Sequence, residues 1–208
     1  GMIQALGARV LRDACRQVAQ WHRCGMPMRL SVNLSVQQLQ HDSWLSIVED
    51  ALASSGLAAG ELDLEITESV IITHPDKAVA TLVRLKQMGV SITVDDFGTG
   101  YSSLSYLARL PIQGLKIDQR FVQGIERNRN DETITQAIIA LAHSLGLRCI
   151  AEGVESRAQI DFLRPGTYNI NTEIFRVEIR EAVKIGENDI GVVDARDAGR
   201  LRRPDPAA

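Results

Sequence analysis

Apolar positions return along this chain with two periods. Ile3, Leu6, Val10, Leu11, Ala14, Val18 and Trp21 recur at helical spacing, and Gly25 stands where such a helix would stop. A short strand is expected from Met28 to Asn33, with Leu30 and Val32 on one face, followed by a helix from about Asp42 to Ser55 that Gly56 closes. Glu61 to Thr67 alternates cleanly, setting Leu62, Leu64 and Ile66 against Asp63, Glu65 and Thr67. Pro75 and Asp76 open a helix striped by Val79, Leu82, Leu85 and Met88, with Gly89 after it. The run Val90–Val94 predicts a third strand, Leu104–Arg109 a short helical piece, and Gly114–Asp118 a fourth strand. Asp131 is the expected cap of a helix carrying Ile134, Ala137, Ile138, Leu141 and Leu145, stopped by Gly146, and Leu147–Ala151 is a fifth strand. Strand and helix thus alternate five times, which predicts an α/β fold built on a parallel sheet with crossover helices.

In parallel folds ligands sit beyond the carboxyl ends of the strands. Asn33, Glu65 with Glu68, Asp95 with Asp96, Lys116 with Asp118, and Glu152 with Glu155 all fall at that end. A single carboxylate there is commonly a turn or cap residue; five strands ending this way point to one shared site. The stretch Asp95–Leu104, DDFGTGYSSL, has two adjacent acids followed by Gly98 and Gly100. Like charges side by side repel unless a cation lies between them, while Asp and Gly are also ordinary turn residues, so the stretch alone reads equally as turn or metal site. Alternation sends only one of Asp95 and Asp96 to the inward face. Lys116 has Asp118 two residues on as a candidate partner. His22, His41, His74 and His143 have no ligand spacing and read as surface residues.

Composition narrows the class. The 208 residues are 45% hydrophobic and 24% charged, ordinary for a globular domain. A net charge of −3 and a pI near 5.8 give no sign of nucleic-acid binding. Cys15, Cys24 and Cys149 lack metal-ligand spacing, and their odd number points to reduced thiols in a cytosolic setting. No apolar run reaches the length that crosses a bilayer. Gly1 before Met2 reads as a tag scar.

The motifs VNLS (32–35), LEITES (64–69), DDFGTGYSSL (95–104), LKID (115–118) and AEGVE (151–155) together resemble the EAL domain family. The resemblance covers residues 2–164 and implies a bacterial, cytoplasmic phosphodiesterase that hydrolyses cyclic di-GMP to pGpG in a TIM-like (β/α) barrel with two Mg²⁺ or Mn²⁺ ions. It implies Asn33, Glu65 and Asp95 as ligands of one metal, Asp95 as bridge, and Asp96 at the second. Lys116 and Glu152 would flank the attacking water, Glu68 would hold the DDFGTGYSSL loop, and Glu155 is the second acid of its loop. The Glu-Ala-Leu motif that names the family is absent from these residues, as is a Gln-Gly strand beyond the last helix. The expectation is therefore an incomplete barrel, weak or lost turnover, and open edges covered by a homodimer or by the tail hairpin laid along one of them. The alternative is a module that binds cyclic di-GMP, or a protein partner, without turnover.

Residues 165–208 change character. Phe175, Val177 and Ile179 alternate, Val183 and Ile185 follow, Gly186–Asp189 is a turn cluster, and Ile190–Val193 is a candidate returning strand, giving an expected β-hairpin-like tail with a frayed basic end. PGTYNIN…FRVEI…VKIGENDIGVV resembles the early β segment of flotillin- and prohibitin-like membrane-associated proteins.

Overall fold

The computed structural model describes residues 2–41, 43–68, 75–100, 107–163 and 175–177. In chain order these form α1 (Met2–Arg23), β1 (Leu30–Asn33), α2 (Val36–Leu39), α3 (Trp44–Ser55), β2 (Leu62–Thr67), α4 (Pro75–Gln87) and β3 (Ser91–Phe97). Then follow β4 (Gly114–Ile117), α5 (Gln119–Gly124), α6 (Arg129–Ser144), β5 (Arg148–Ala151), α7 (Arg157–Leu163) and β6 (Phe175–Val177). The strands make one sheet in the order β5-β4-β3-β2-β1-β6, every neighbouring pair parallel. All the carboxyl ends therefore lie on one side, as the five alternations require.

The strands β1 to β4 have an apolar and a polar face, and both are largely buried. Leu30, Val32, Leu62, Leu64, Ile66, Ile92, Val94, Leu115 and Ile117 join the main core with residues of α1, α3, α4 and α6. Removing such side chains from water stabilises the fold by about 1.5–3 kcal/mol each. The opposite face carries Ser31, Asp63, Glu65, Ser91, Thr93, Asp95 and Lys116, all buried too. A flat sheet would leave that face wet. Here Arg148 on β5 comes within 3.6 Å of Asp63 on β2, across two intervening strands that are each about 4.8 Å from the next. The sheet is therefore curled around its polar face, the geometry of an incomplete barrel.

The helix stops are where the spacing puts them: Gly25, Gly56, Gly89 and Gly146 all take positive φ. Several boundaries differ from expectation. Asp131 is not the cap of α6; Asn128 is, its side chain accepting from the Asn130 N–H, and Asp131 sits in the first turn where its charge suits the helix dipole. Asp118 ends no strand but caps α5. The short α2 opens with a Ser35/Gln38 capping box, a signal present in SVQQ but followed by too few residues to show a period. His22 is half-buried rather than a plain surface residue, and its Nε2 lies against Met28, donating to the carbonyl in one tautomer or accepting from the N–H in the other.

From the tail, Phe175–Val177 pairs in parallel with β1, in the register Leu30↔Phe175 to Val32↔Val177. Ile179, the turn cluster and the candidate returning strand lie outside the described residues, as do Leu104–Tyr106 and His74.

Candidate active site

Lys116 is the hub of the carboxyl end. It is buried on β4, and its Nζ lies 2.8 Å from Glu65 Oε2, 3.0 Å from Asp95 Oδ1 and 2.6 Å from Glu152 Oε1. These partners come from β2, β3 and the turn after β5, so one ammonium gathers three strands. The backbone helps: the Leu34 N–H donates to Glu65 O at 2.7 Å, and the Glu152 N–H to Ile117 O at 3.4 Å. Lys116 does not pair with Asp118. The chain leaves the strand at Asp118, whose carboxylate instead accepts from the Arg120 N–H at 2.8 Å and from its Nε and Nη2 at 3.2 and 2.9 Å. Burial pushes the Asp118 carboxyl up, but these hydrogen bonds and the guanidinium charge outweigh it and hold the group below the usual range.

Strict alternation fails at the two adjacent acids, and the failure makes the site. Asp95 is 2% exposed and faces inward. Asp96 has φ +52, and the register between β3 and β4 shifts between Val94 and Phe97. This left-handed step, costly for a non-glycine residue, returns the Asp96 carboxylate to its neighbour's side. Asp95, Asp96 and Glu152 consequently present oxygens all within 4.8 Å of one another. Desolvation raises the Asp96 pKa, and the nearby charges of Asp95, Asp118 and Glu152 raise it further against the opposing pull of Lys116. Four carboxylates, Glu65, Asp95, Asp96 and Glu152, surround one lysine, an excess of negative charge made of hard oxygen donors. Such a donor set fits a hard divalent cation.

Glu68, 4% exposed, accepts from the Gly98 N–H at 3.3 Å and the Gly100 N–H at 3.1 Å. It thereby ties the loop after β3 to the end of β2. Gly98 has φ +97, and a Cβ there would stand 3.0 Å from both Phe121 and Ile138. Asn33 ends β1 half-buried, in register with Glu65. Glu155 is exposed, and its backbone N–H donates to Gln159 Oε1 at 2.7 Å. The sequence reading missed the Asp118–Arg120 pair. It also missed a polar cluster below Lys116, formed by Asp63, Ser91, Thr93 and Arg148. Its signal was available: Asp63, Ser91 and Thr93 share strand parity with Glu65 and Asp95.

The EAL domain family matches residues 1–166, and the chain belongs to that family. It is 46% identical over 165 residues to the cyclic di-GMP phosphodiesterase NbdA of Pseudomonas aeruginosa, covering 79% of this chain and 21% of the relative. It is 39% identical over 169 residues to the cyclic di-GMP phosphodiesterase PdeR of Escherichia coli, covering 81% and 26%. The chain thus spans a fifth to a quarter of these curated relatives. Among solved structures, the PaMucR phosphodiesterase in its c-di-GMP complex superposes with a TM-score of 0.76 at 43% identity, over 79% of this chain and 67% of that one. The EAL domain of Mycobacterium smegmatis DcpA does so at 0.73 and 43%, over 78% and 74%. Among the described residues no helix is long and apolar enough to cross a membrane.

Proposed function

We propose that residues 2–164 form an EAL-type cyclic di-GMP phosphodiesterase domain that adds water across one phosphodiester and releases linear pGpG. The observation that carries this reading is the gathering of Asp95, Asp96 and Glu152 within 4.8 Å around an ammonium that also holds Glu65. Asn33, Glu65, Asp95 and Asp96 are the residues that would hold the metal. The cations, Mg²⁺ or Mn²⁺, would supply Lewis-acid charge for the attacking and leaving oxygens. Glu152 would accept the proton of the attacking water, and Lys116, 2.6 Å from it, holds the carboxylate in place. Glu68 fixes the loop that bears Asp96, with Glu155 supporting the following turn.

The domain is further proposed to act in the bacterial cytoplasm as a homodimer. Among the described strands β5 pairs with β4 alone, and an edge strand of this kind is a ready pairing surface. Light scattering checks the dimer. The function is tested by chromatography of cyclic di-GMP incubated with Mg²⁺ or Mn²⁺, alongside calorimetric binding. Metal-dependent pGpG release, lost in EDTA and in Asp95→Asn, is expected. Binding without release would make this a non-catalytic cyclic di-GMP module, and the absence of both would overturn the reading.

A further inference from the structure

Two side-chain ties cross β4, one above the other. The upper is Lys116 itself. The lower starts at Arg148, four residues before Glu152 on β5. Its Nη2 donates to Ser91 Oγ on β3 at 2.9 Å and lies 3.6 Å from Asp63 Oδ2 on β2. Thr93 shares its hydroxyl proton between the two Asp63 oxygens, at 3.0 and 2.8 Å. Ser91, Thr93 and Asp63 are buried, so a lost partner here is not replaced by bulk water.

What lets the guanidinium cross β4 is Gly114. It pairs in register with both Thr93 and Arg148, so it stands directly between them. A Cβ at Gly114 would come 3.1 Å from Thr93 Oγ1 and 3.3 Å from Thr93 Cγ2. With no side chain there, an arginine from β5 reaches the two strands beyond. The strands it joins are those that carry Glu152, Asp95 with Asp96, and Glu65. Among the described strands β5 is hydrogen-bonded to β4 alone, and the Arg148 side chain ties it to β3 and β2 as well. A shift of β5 relative to β3 and β2 would carry Glu152 away from Asp95 and Asp96.

We infer that Arg148, reaching across Gly114 to Ser91 and Asp63, is a positioning residue that holds Glu152 within ligand distance of Asp95 and Asp96. The inference rests on the metal-site reading above, but its test separates the two. Mn²⁺ affinity is measured by calorimetry on the 208-residue chain, its Arg148→Met and Arg148→Lys variants, and Ser91→Ala, which removes the acceptor at little cost to the fold. In parallel, NMR of the metal-free proteins follows the Lys116 ammonium, which reports its 2.6 Å contact with Glu152. Loss of an outer-shell partner commonly weakens metal binding by roughly 10–100-fold. A drop of about 10-fold is expected for Arg148→Met, with a smaller drop for Ser91→Ala and partial recovery in Arg148→Lys. The Lys116 resonance should shift in the same order. An unchanged Lys116 resonance and Mn²⁺ affinity, with only the melting temperature lowered, would make Arg148 merely structural and overturn the inference. Should the unmodified chain bind no Mn²⁺, the metal reading fails, and the Lys116 resonance still decides whether Arg148 holds Glu152.

Discussion

The polar interior of this sheet has two layers built on the same strands, and they solve the same electrostatic problem in opposite ways. In the lower layer one buried carboxylate, Asp63, is matched by one guanidinium and by the Thr93 hydroxyl. Its charge is balanced within the chain. In the upper layer four carboxylates face a single lysine, and the step at Asp96 turns a fourth acid toward the cluster instead of away. That layer is balanced only if something positive comes from outside. Crowding like charges is costly, so a chain that gathers an excess of carboxylates at one level and balances its one carboxylate five to seven ångströms away along its own strands (about two residues of strand rise) holds two electrostatically different layers, one fit to take up a cation and one to support it.

The sharpest way to break this contrast is to remove each layer's cation. Lys116→Met leaves three carboxylates without their shared ammonium. Breaking a buried pair from one side costs about 3–5 kcal/mol, and a loss of that order is expected in urea denaturation with EDTA present. Divalent cation should restore part of it, because a ligand that binds only the folded state stabilises by mass action. Arg148→Met in the lower layer should cost less, since Arg148 is itself 31% exposed, its approach to Asp63 is a longer 3.6 Å, and the Thr93 hydroxyl still donates to Asp63. Equal losses, or no metal rescue for Lys116→Met, would mean that the two layers are one structural network.

The next effect concerns the loop rather than the charge. Glu68→Gln keeps an oxygen able to accept from both glycine N–H groups, which meet on the same Oε2, but replaces a charged acceptor with a neutral one. Hydrogen bonds to charged groups contribute roughly 1.5–3 kcal/mol, so turnover should fall about 10-fold or more as the Asp96 loop loosens. Affinity for a single Mn²⁺ should change little, because the proposed ligands Asn33, Glu65 and Asp95 stand on strands rather than on this loop. Calorimetry and turnover measured on the same variant separate these; a large loss of Mn²⁺ binding with turnover intact would place Glu68 in the wrong role.

How much of this was readable in the residues follows the range of the forces involved. Alternation in Leu62–Thr67 and the helical stripe from Val79 to Met88 are local, and they placed β2 and α4 within a residue or two. Parallel order followed from chain connectivity, and with it the common end of Asn33, Glu65, Asp95 and Glu152. Lys116 could be named but not paired, because its partners lie on three other segments and the nearest acid in sequence, Asp118, is consumed by Arg120. The fate of Asp96 depended on one left-handed residue, which no periodicity reports. The Arg148 contact needed the register of four strands and an empty position at Gly114. In the tail, the alternation of Phe175 and Val177 marked a strand, but nothing local said that it would extend the sheet beside β1 in parallel.

The smallest expected effect tests whether Asp96 is a charge placed at a cost. Its pKa is raised in the folded state, first by desolvation and then by Asp95, Asp118 and Glu152. A carboxyl with a raised folded pKa binds protons more readily folded than unfolded, so stability falls as pH rises from its unfolded value near 3.8 through the raised one. At neutral pH the full penalty applies; below the unfolded pKa both states are protonated and it vanishes. Asp96→Asn removes the charge and keeps the shape, so in EDTA it should melt higher than the parent near pH 7, and the gap should close in acid. Asparagine also tolerates φ +52 better than most residues, and that contribution is independent of pH, so it remains as an offset when the electrostatic part is gone. With Mn²⁺ present the order should reverse, because the parent then gains binding energy that the variant has lost. A variant no more stable than the parent at pH 7 without metal would show that the Asp96 carboxylate carries no repulsion, and that the upper layer is as well balanced as the lower.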